Sequence, residues 1–209
     1  MSHNQRNPVL LVHGLYNTVN KFNTMTNYLT NLGWSVHCFN LQPNNGDGHL
    51  DILAEQVNHY INNNFEPNQP LDLIGFSMGG IITRYYLQRL GGIDRVHRYI
   101  SISAPNNGTL TAYALSRPGI KQMRPNSQFL QDLNKDIHET LSHLNVTIIW
   151  TPYDLMIFPA HSSKINLGTE IKLPVFSHEW MVRDTRLLNI LSQSLSQPVT
   201  MVKKSLNTR

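Results

Sequence analysis

Ser77 lies in the middle of a Gly-Phe-Ser-Met-Gly run at 75–79, where an apolar strand pattern changes into a helical one. The run 71–76 is short and apolar, and residues 81–90 carry apolar side chains at helical spacing. A chain that reverses from strand to helix within about one residue crowds the side chains two positions before and after the serine, and glycine removes that collision. The pattern predicts a serine on a sharp turn with its hydroxyl exposed as a nucleophile.

A serine hydroxyl is a weak nucleophile at neutral pH, so it needs an adjacent base, which is itself oriented by an acid. After a strand–serine–helix turn of this kind, the acid and then the base come from loops that follow later strands. Asp154 lies about three residues beyond one later strand pattern, and His178 about three beyond the next. Order and position therefore predict Ser77, Asp154 and His178 as a catalytic triad at the carboxyl edge of a sheet.

Other titratable residues compete for these roles. His161 also follows Asp154 and is the rival base, but it does not follow a strand end. The carboxylates at 132, 136 and 139 fall within a helical pattern and are predicted to be surface charges. Asp184 is predicted to lie in the first turn of a helix.

Cleavage of an ester through a tetrahedral intermediate also needs two N–H donors for the developing oxyanion. The residue after the nucleophile, Met78, is predicted to supply one of them. The loop after the first strand is predicted to supply the other, through Leu15 or, as the alternative, Tyr16. In the same loop we expect His13 to act as an anchor through hydrogen bonds and not as the base.

Strand and helical patterns alternate along most of the chain. The strand patterns span 8–13, 34–40, 71–76, 98–103, 146–151 and 170–175, and the helical patterns span 22–32, 52–61, 81–90, 130–144 and 187–195. This alternation predicts an α/β fold with a mostly parallel sheet of about six strands and helices on both faces. We expect a single domain over 1–209, with its core in 8–195 and a loose tail at 196–209.

Composition narrows the class of protein. The chain has 209 residues, 40% of them hydrophobic and 14% charged, with a net charge of +4. Its basic residues are scattered, which argues against a nucleic-acid partner. Cys38 is the sole cysteine and is expected to be an inert buried thiol. No metal-ligand spacing or phosphate-binding glycine pattern is present, so neither a metal nor a cofactor is predicted. The sequence has no signal-peptide pattern and no membrane-length apolar run, so a cytoplasmic location is expected.

Several segments together resemble the small lipases and esterases of the α/β-hydrolase fold, the compact bacterial triacylglycerol lipases in particular. They are VLLVHGL, LDLIGFSMGGIITRYYL, ISAPNNGT, MRPNSQFLQDLN, TPYDLMIFP and SHEWM. The similarity runs from about residue 8 to 195. It implies Ser77 as nucleophile, Asp154 as acid, His178 as base, and Leu15 and Met78 as oxyanion donors.

The sequence differs from this family's pattern in one segment. The stretch 104–109 matches the family segment that borders the cleft, but Asn106 and Asn107 replace the histidine or related residues that are common there. The resemblance therefore does not fix the shape of the acyl or alcohol site. Residues 106–126 are expected to form a short cover over the site, with no large lid.

The expected function is hydrolysis of a small-molecule ester or a lipid by a cofactor-independent serine hydrolase. Acyltransferase, thioesterase and amidase reactions would use the same triad, and a non-catalytic binding scaffold is the alternative from another class. An open cleft predicts activity without a strong requirement for a lipid interface. Transient contact with a lipid surface is compatible with this reading, and no transmembrane segment is expected.

Overall fold

The computed structural model describes residues 6–199, and within that range six strands form one sheet. The strands are β1 (Val9–Val12), β2 (Val36–Cys38), β3 (Leu71–Phe76), β4 (Val96–Ile102), β5 (Asn145–Trp150) and β6 (Thr169–Lys172). They are ordered β2-β1-β3-β4-β5-β6, and every pair of neighbours is parallel. The predicted parallel α/β sheet is confirmed.

Helices cover both faces of this sheet, as predicted. They are α1 (Asn23–Asn31), α2 (Leu50–Asn64), α3 (Met78–Arg89), α4 (Pro118–Gln122), α5 (Gln128–Lys135), α6 (Ile137–Leu141) and α7 (Thr185–Ser196). The buried side chains of α2 to α6 pack together on one face, and those of α1 and α7 pack on the other. The strands are therefore apolar on both sides, which explains their nearly continuous hydrophobic runs.

The strand order reverses between β1 and β3. From β1 the chain moves outward to β2, and then α2 carries it back across β1 to β3. In open parallel sheets such a reversal leaves a crevice at the carboxyl ends of the two strands, where ligands bind. Leu15 follows β1 and Ser77 follows β3, so both lie beside this crevice.

The bounds of several predicted elements differ from the structure, as in β2, which is shorter than the predicted 34–40; two further differences affect the loops and helices around the site. The helical pattern 130–144 forms two helices, α5 and α6, because Asp136 between them has φ −125°, outside the helical region. The last strand ends at Lys172 and not at Val175, since Pro174 has no N–H to continue the ladder. Consequently His178 lies six residues beyond its strand, farther than predicted.

The remaining predictions for the ends of the chain concern residues that the structure covers only in part. Helix α7 extends to Ser196, and the predicted tail from 200 to 209 lies outside the described residues, as do residues 1–5. No helix in 6–199 combines the length and the apolar character needed to cross a bilayer.

Candidate active site

Ser77 adopts a backbone conformation that L-residues seldom occupy. Its φ of 55° and ψ of −127° lie outside the common regions, a conformation that costs roughly 1–3 kcal/mol. The turn is possible because the glycines at 75 and 79 have no Cβ, so the backbone can pack closely on both sides of Ser77. A Cβ on Gly75 would lie 2.5 Å from the Cα of Gly80, and a Cβ on Gly79 would lie 2.2 Å from the carbonyl oxygen of Val12. The second collision is with the end of β1, so Gly79 is required by the neighbouring strand and not only by the turn.

Asp154 and His178 form a buried pair. The Nδ1 atom of His178 lies 2.7 Å from Oδ2 of Asp154, and both side chains are almost completely buried. The other carboxylate oxygen, Oδ1, accepts the backbone N–H groups of Met156 at 3.0 Å and Ile157 at 2.8 Å. The carboxylate is thereby held by its own loop, and it fixes the histidine with Nδ1 as the donor.

The earlier end of β6 does not separate this pair, because the chain continues beside β5. The N–H of Leu173 donates to the carbonyl of Trp150 at 2.8 Å. The Thr151 hydroxyl then donates to the carbonyl of Val175 at 2.5 Å. These bonds lead the chain past the end of β5 to His178, whose ring packs on Phe76 with centroids 4.9 Å apart.

Ser77 and His178 line the same pocket. The structure gives no hydrogen bond between the Ser77 hydroxyl and the His178 ring. In many enzymes this bond is long until substrate binds. The rival base, His161, is exposed on a 3₁₀ turn at Ala160–Ser163 and forms no hydrogen bond with Asp154. Of the two histidines, only His178 therefore has the acid partner that a base requires.

The predicted oxyanion donors flank the crevice. Met78 is the first residue of α3, so its N–H has no acceptor within the helix. The N–H of Tyr16, the alternative donor, is already bonded to the carbonyl of Asn44 at 2.7 Å. Among the described residues, the N–H of Leu15 has no such backbone acceptor. This difference favours Leu15 over Tyr16 as the second donor.

His13 is completely buried and anchors the loop after β1, as predicted. Its Nδ1 lies 2.9 Å from the carbonyl of Gly14, and its Nε2 accepts the N–H of Leu41 at 3.0 Å. One nitrogen donates and the other accepts, so the ring is neutral. Burial lowers the pKa of His13, in agreement with this state.

The pocket beside Ser77 has a volume of about 370 Å³ and a mainly apolar wall. The apolar lining residues are Leu15, Met78, Ala112, Ala114, Leu115, Ile120, Met123, Met156 and Ile157. Most of them belong to residues 106–126, the predicted cover, which contains a 3₁₀ turn at Leu110–Tyr113 and the short helix α4. Residues 106–126, called the cover below, thus form one wall of the pocket, and this segment is as short as predicted.

Hydrogen bonds hold the cover on both sides. On one side, Leu110 N donates to the carbonyl of Phe158 at 2.8 Å, and the Thr111 hydroxyl donates to that of Met156 at 2.6 Å. On the other side, Gly119 N donates to the carbonyl of Gly46 at 2.9 Å. The cover is therefore fixed to the loop that carries Asp154 as well as to the loop after β2.

Asn106 and Asn107 do not line the pocket. Asn106 is fully buried, and its side-chain oxygen accepts from Nη1 of Arg84 at 3.2 Å. Its amide donates to the carbonyl of Ser163 at 2.7 Å, and Asn107 donates to that of Lys164 at 2.7 Å. Both asparagines fasten the start of the cover to the chain behind it, because their amides bond to main-chain carbonyls there.

Arg84 on α3 is a buried cation that the sequence did not reveal. Its Nη2 donates to the carbonyl of Leu133 at 3.0 Å and to the side chain of Asn134 at 2.8 Å. Burial lowers the pKa of Arg84 to about 10. The guanidinium therefore links α3, the helix that begins directly after Ser77, to the cover and to α5.

Two further arginines, Arg89 and Arg98, form ion pairs. Arg89 binds Asp132 and Asp136, each at 2.8 Å, and Arg98 binds the buried Asp72 at 2.9 Å. The predicted free surface charges at 132 and 136 are thus ion-pair partners. These pairings offset much of the positive charge that the arginines bring to α3 and β4.

Lys21 is a further residue that sequence patterns did not indicate. Its side chain is only 10% exposed, although it carries a charge. The ammonium group donates to the carbonyl of Glu179 at 2.9 Å and pairs with the carboxylate of the same residue. Since Glu179 follows His178 directly, Lys21 holds the turn that carries the histidine.

A comparison with models of known protein families finds a match over the first part of the chain. The family model described as palmitoyl protein thioesterase matches residues 8–123, more than half of the chain. The matched part includes Leu15, Ser77 and Met78. Asp154 and His178 lie beyond it, so their assignment depends on the geometry alone.

Solved structures of similar fold are lipases and related proteins. Lipase B of Aspergillus fumigatus has a TM-score of 0.77 at 18% identity, and the match covers 97% of this chain and 56% of that one. Mature lipase BlEst2 of Bacillus licheniformis has a TM-score of 0.76 at 13% identity, with coverage of 94% and 96%. A gene product of Listeria innocua has a TM-score of 0.70 at 14% identity, again with coverage of 94% and 96%. This chain spans little more than half of the Aspergillus lipase chain but nearly all of the other two. The likeness confirms the predicted minimal α/β-hydrolase fold.

Proposed function

Because the chain belongs to the palmitoyl protein thioesterase family, we propose that it is a serine hydrolase that cleaves carboxylic esters of apolar acyl groups. The observation that supports this most strongly is that His178, which lines the same pocket as Ser77, is paired with the buried carboxylate of Asp154. The pocket is apolar and open, which suits an acyl chain and a bond that must be reached by water.

In the proposed reaction, His178 accepts the proton of the Ser77 hydroxyl as its oxygen attacks the ester carbonyl. The carbonyl oxygen becomes an oxyanion and accepts the N–H groups of Leu15 and Met78. The intermediate collapses, the bond to the alcohol breaks, and His178 gives its proton to the leaving oxygen. Water then loses a proton to His178 and attacks the acyl-enzyme, which releases the carboxylic acid and restores Ser77.

Asp154 supports both steps through one hydrogen bond. With Nδ1–H directed to the carboxylate, Nε2 is the ring nitrogen left to receive a proton. When the ring becomes an imidazolium, the nearby negative charge stabilises it. The carboxylate needs no proton of its own, since three donors already surround it.

Thioester hydrolysis is the second candidate, and the family match favours it. The same residues would act, with a thiol as leaving group in place of an alcohol. A thiolate is a better leaving group than an alkoxide, so the proton from His178 matters less in that step. Matched octanoyl esters and octanoyl thioesters would distinguish the two reactions by their kcat/KM ratio.

The first experiment tests the nucleophile. We expect Ser77→Ala to abolish hydrolysis of p-nitrophenyl butyrate and labelling by a fluorophosphonate, with an unchanged thermal unfolding curve. A loss of at least 10⁴-fold in kcat is expected, roughly the effect of removing a serine nucleophile in other hydrolases. Retained turnover or labelling in this variant would exclude Ser77 as the nucleophile. Wild-type protein that neither turns over esters nor reacts with the probe would instead indicate a binding scaffold.

A further inference from the structure

Exposed apolar side chains are concentrated at one end of the molecule. Within residues 6–199, twelve large hydrophobic side chains are exposed, and all but Leu32 and Ile52 belong to loops that follow the carboxyl ends of strands. These ten side chains lie in four segments, at Tyr16, 110–115, 153–158 and 176–180. We call this set the apolar rim. Monomeric proteins seldom expose apolar residues in this concentrated way unless the surface binds something.

The apolar rim continues into the pocket. Tyr16, Leu115 and Met156 are each exposed and also line the pocket wall. An acyl chain that enters from the rim would therefore stay against apolar side chains along its path. This continuity argues for a partner that delivers the substrate, because a protein seated on the same surface would close the mouth.

The apolar rim carries almost no free charge. Its four segments contain only two carboxylates, Asp154 and Glu179. The first is buried against His178, and the second pairs with Lys21. The Arg124 guanidinium lies over the ring of Tyr113, 4.8 Å from its centroid, but the exposed side chains of the four segments are themselves apolar or aromatic. A surface so poor in charge, with tyrosine and tryptophan side chains, matches the interfacial zone of a bilayer, where amphipathic rings are favoured.

We propose that the apolar rim docks the protein on a zwitterionic phospholipid surface, with the mouth of the pocket facing the lipid. Leu155 and Phe176, each 80% exposed, enter the interface first, and Trp180, 65% exposed, belongs to the same segment as Phe176. Docking needs no opening of the cover, because the pocket mouth is already exposed. Hydrolysis of dissolved short esters therefore proceeds without lipid, while long-chain substrates are taken up from the surface. This last consequence rests on the proposed ester hydrolase function, whereas the docking itself does not.

Binding can be measured apart from catalysis in the Ser77→Ala protein. Sonicated phosphatidylcholine vesicles are added, and co-flotation is measured at 0.1 M and 0.5 M NaCl, together with tryptophan fluorescence. Trp34 and Trp150 are buried, so a change in emission reports chiefly on Trp180. We expect co-flotation at both salt concentrations, a blue shift and protection from acrylamide quenching.

The variant Leu155→Ser/Phe176→Ser tests the surface, and Ile52→Ser is its matched control. Ile52 is 57% exposed on α2 and lies outside the apolar rim. Removing two inserted side chains should weaken vesicle binding by about a hundredfold, at roughly tenfold each, whereas Ile52→Ser should bind like the parent. Because Phe176 stacks on Tyr153, Leu155→Ser alone is made as well, with about a tenfold loss expected.

Activity on p-nitrophenyl acetate separates the two proposals. When the same rim substitutions are made in the protein that retains Ser77, the variants should hydrolyse this soluble ester at the parent rate, which shows that the active site is intact. No vesicle binding, or an equal loss in Ile52→Ser, would overturn the docking proposal even if ester hydrolysis is normal. Concentration-dependent dimers that the double variant abolishes, without vesicle binding, would assign the apolar rim to a second copy of the chain instead. Vesicle binding without any esterase activity would support docking and count against the proposed function alone.

Discussion

Replacing Asp154 with asparagine should reverse the tautomer of His178 without removing a side chain from the site. The two carboxylate oxygens have separate partners in the structure. Oδ1 accepts the N–H groups of Met156 and Ile157, and Oδ2 faces Nδ1 of His178. An amide NH₂ group cannot accept those two N–H groups, so the asparagine oxygen must stay at the Oδ1 position. The NH₂ group then points at His178 and donates to Nδ1, which forces the ring proton onto Nε2.

A histidine in that tautomer cannot receive the proton of Ser77. The expected result is a fall in kcat of about 10⁴-fold, the size seen for the same change in a serine protease triad. It corresponds to about 5 kcal/mol of lost transition-state stabilisation. KM should change little, because Asp154 does not line the pocket. Steady-state hydrolysis of p-nitrophenyl butyrate measures both constants.

Asp184→Asn is the matched control. Asp184 caps α7 by accepting the N–H of Arg186 and has no contact with the triad, so kcat should stay at the parent value. Circular dichroism and thermal unfolding then establish that both variants fold. If folded Asp154→Asn protein retains more than about a tenth of the parent kcat, the acid role of Asp154 and the tautomer argument are refuted.

Two further predictions concern groups outside the triad. Lys21→Met should lower kcat about tenfold with KM nearly constant, since the loss of a charge-assisted bond of about 1.4 kcal/mol loosens the turn that carries His178. Lys21→Arg should keep most of the parent rate, and Lys135→Met, on the surface, should have no effect. Equal kcat values in these three variants would exclude a positioning role for Lys21. Burial raises the pKa of Tyr86 to about 12 from 10, so its neutral hydroxyl contributes stability that is complete below pH 10 and is lost as the pH rises toward 12. The free energy of unfolding, measured by urea titration, should fall between pH 8 and pH 11 by about 1 kcal/mol less in Tyr86→Phe than in the parent. If this free energy changes with pH in the same way in both proteins, the assignment to Tyr86 is contradicted.

The parts of the fold and site that follow from short-range patterns were predictable. A nearly continuous apolar run identifies a strand between two helical layers, and Gly-x-Ser-x-Gly identifies the turn after β3 whatever the rest of the chain does. The order rule for acid and base also tolerates errors in strand ends. His178 lies farther beyond β6 than predicted, yet the backbone beside β5 still brings it to Asp154.

The parts that depend on distant partners were not predictable from patterns. Arg84 falls in a helix with other arginines and looks like a surface residue, but its acceptors come from Asn106, Leu133 and Asn134, 22 to 50 positions away. The same holds for Lys21, whose partner Glu179 is 158 positions away. A charged side chain gives no local signal of burial, because burial depends on whether the tertiary structure supplies enough oxygen atoms around it.

The geometry at Ser77 links the stability of the fold to the proposed chemistry. Its backbone conformation is unfavourable by roughly 1–3 kcal/mol, so the surrounding structure must hold it in place. A Cβ on Gly14 would lie 2.8 Å from the Cβ of Ser77, and Gly79 leaves no room against the end of β1. The loop that presents Leu15 and the helix that presents Met78 are therefore packed directly on the turn that presents the serine. The strain at Ser77 is maintained by the same close contacts that fix both predicted oxyanion donors, so a loosened loop after β1 would relax the serine and displace a donor together.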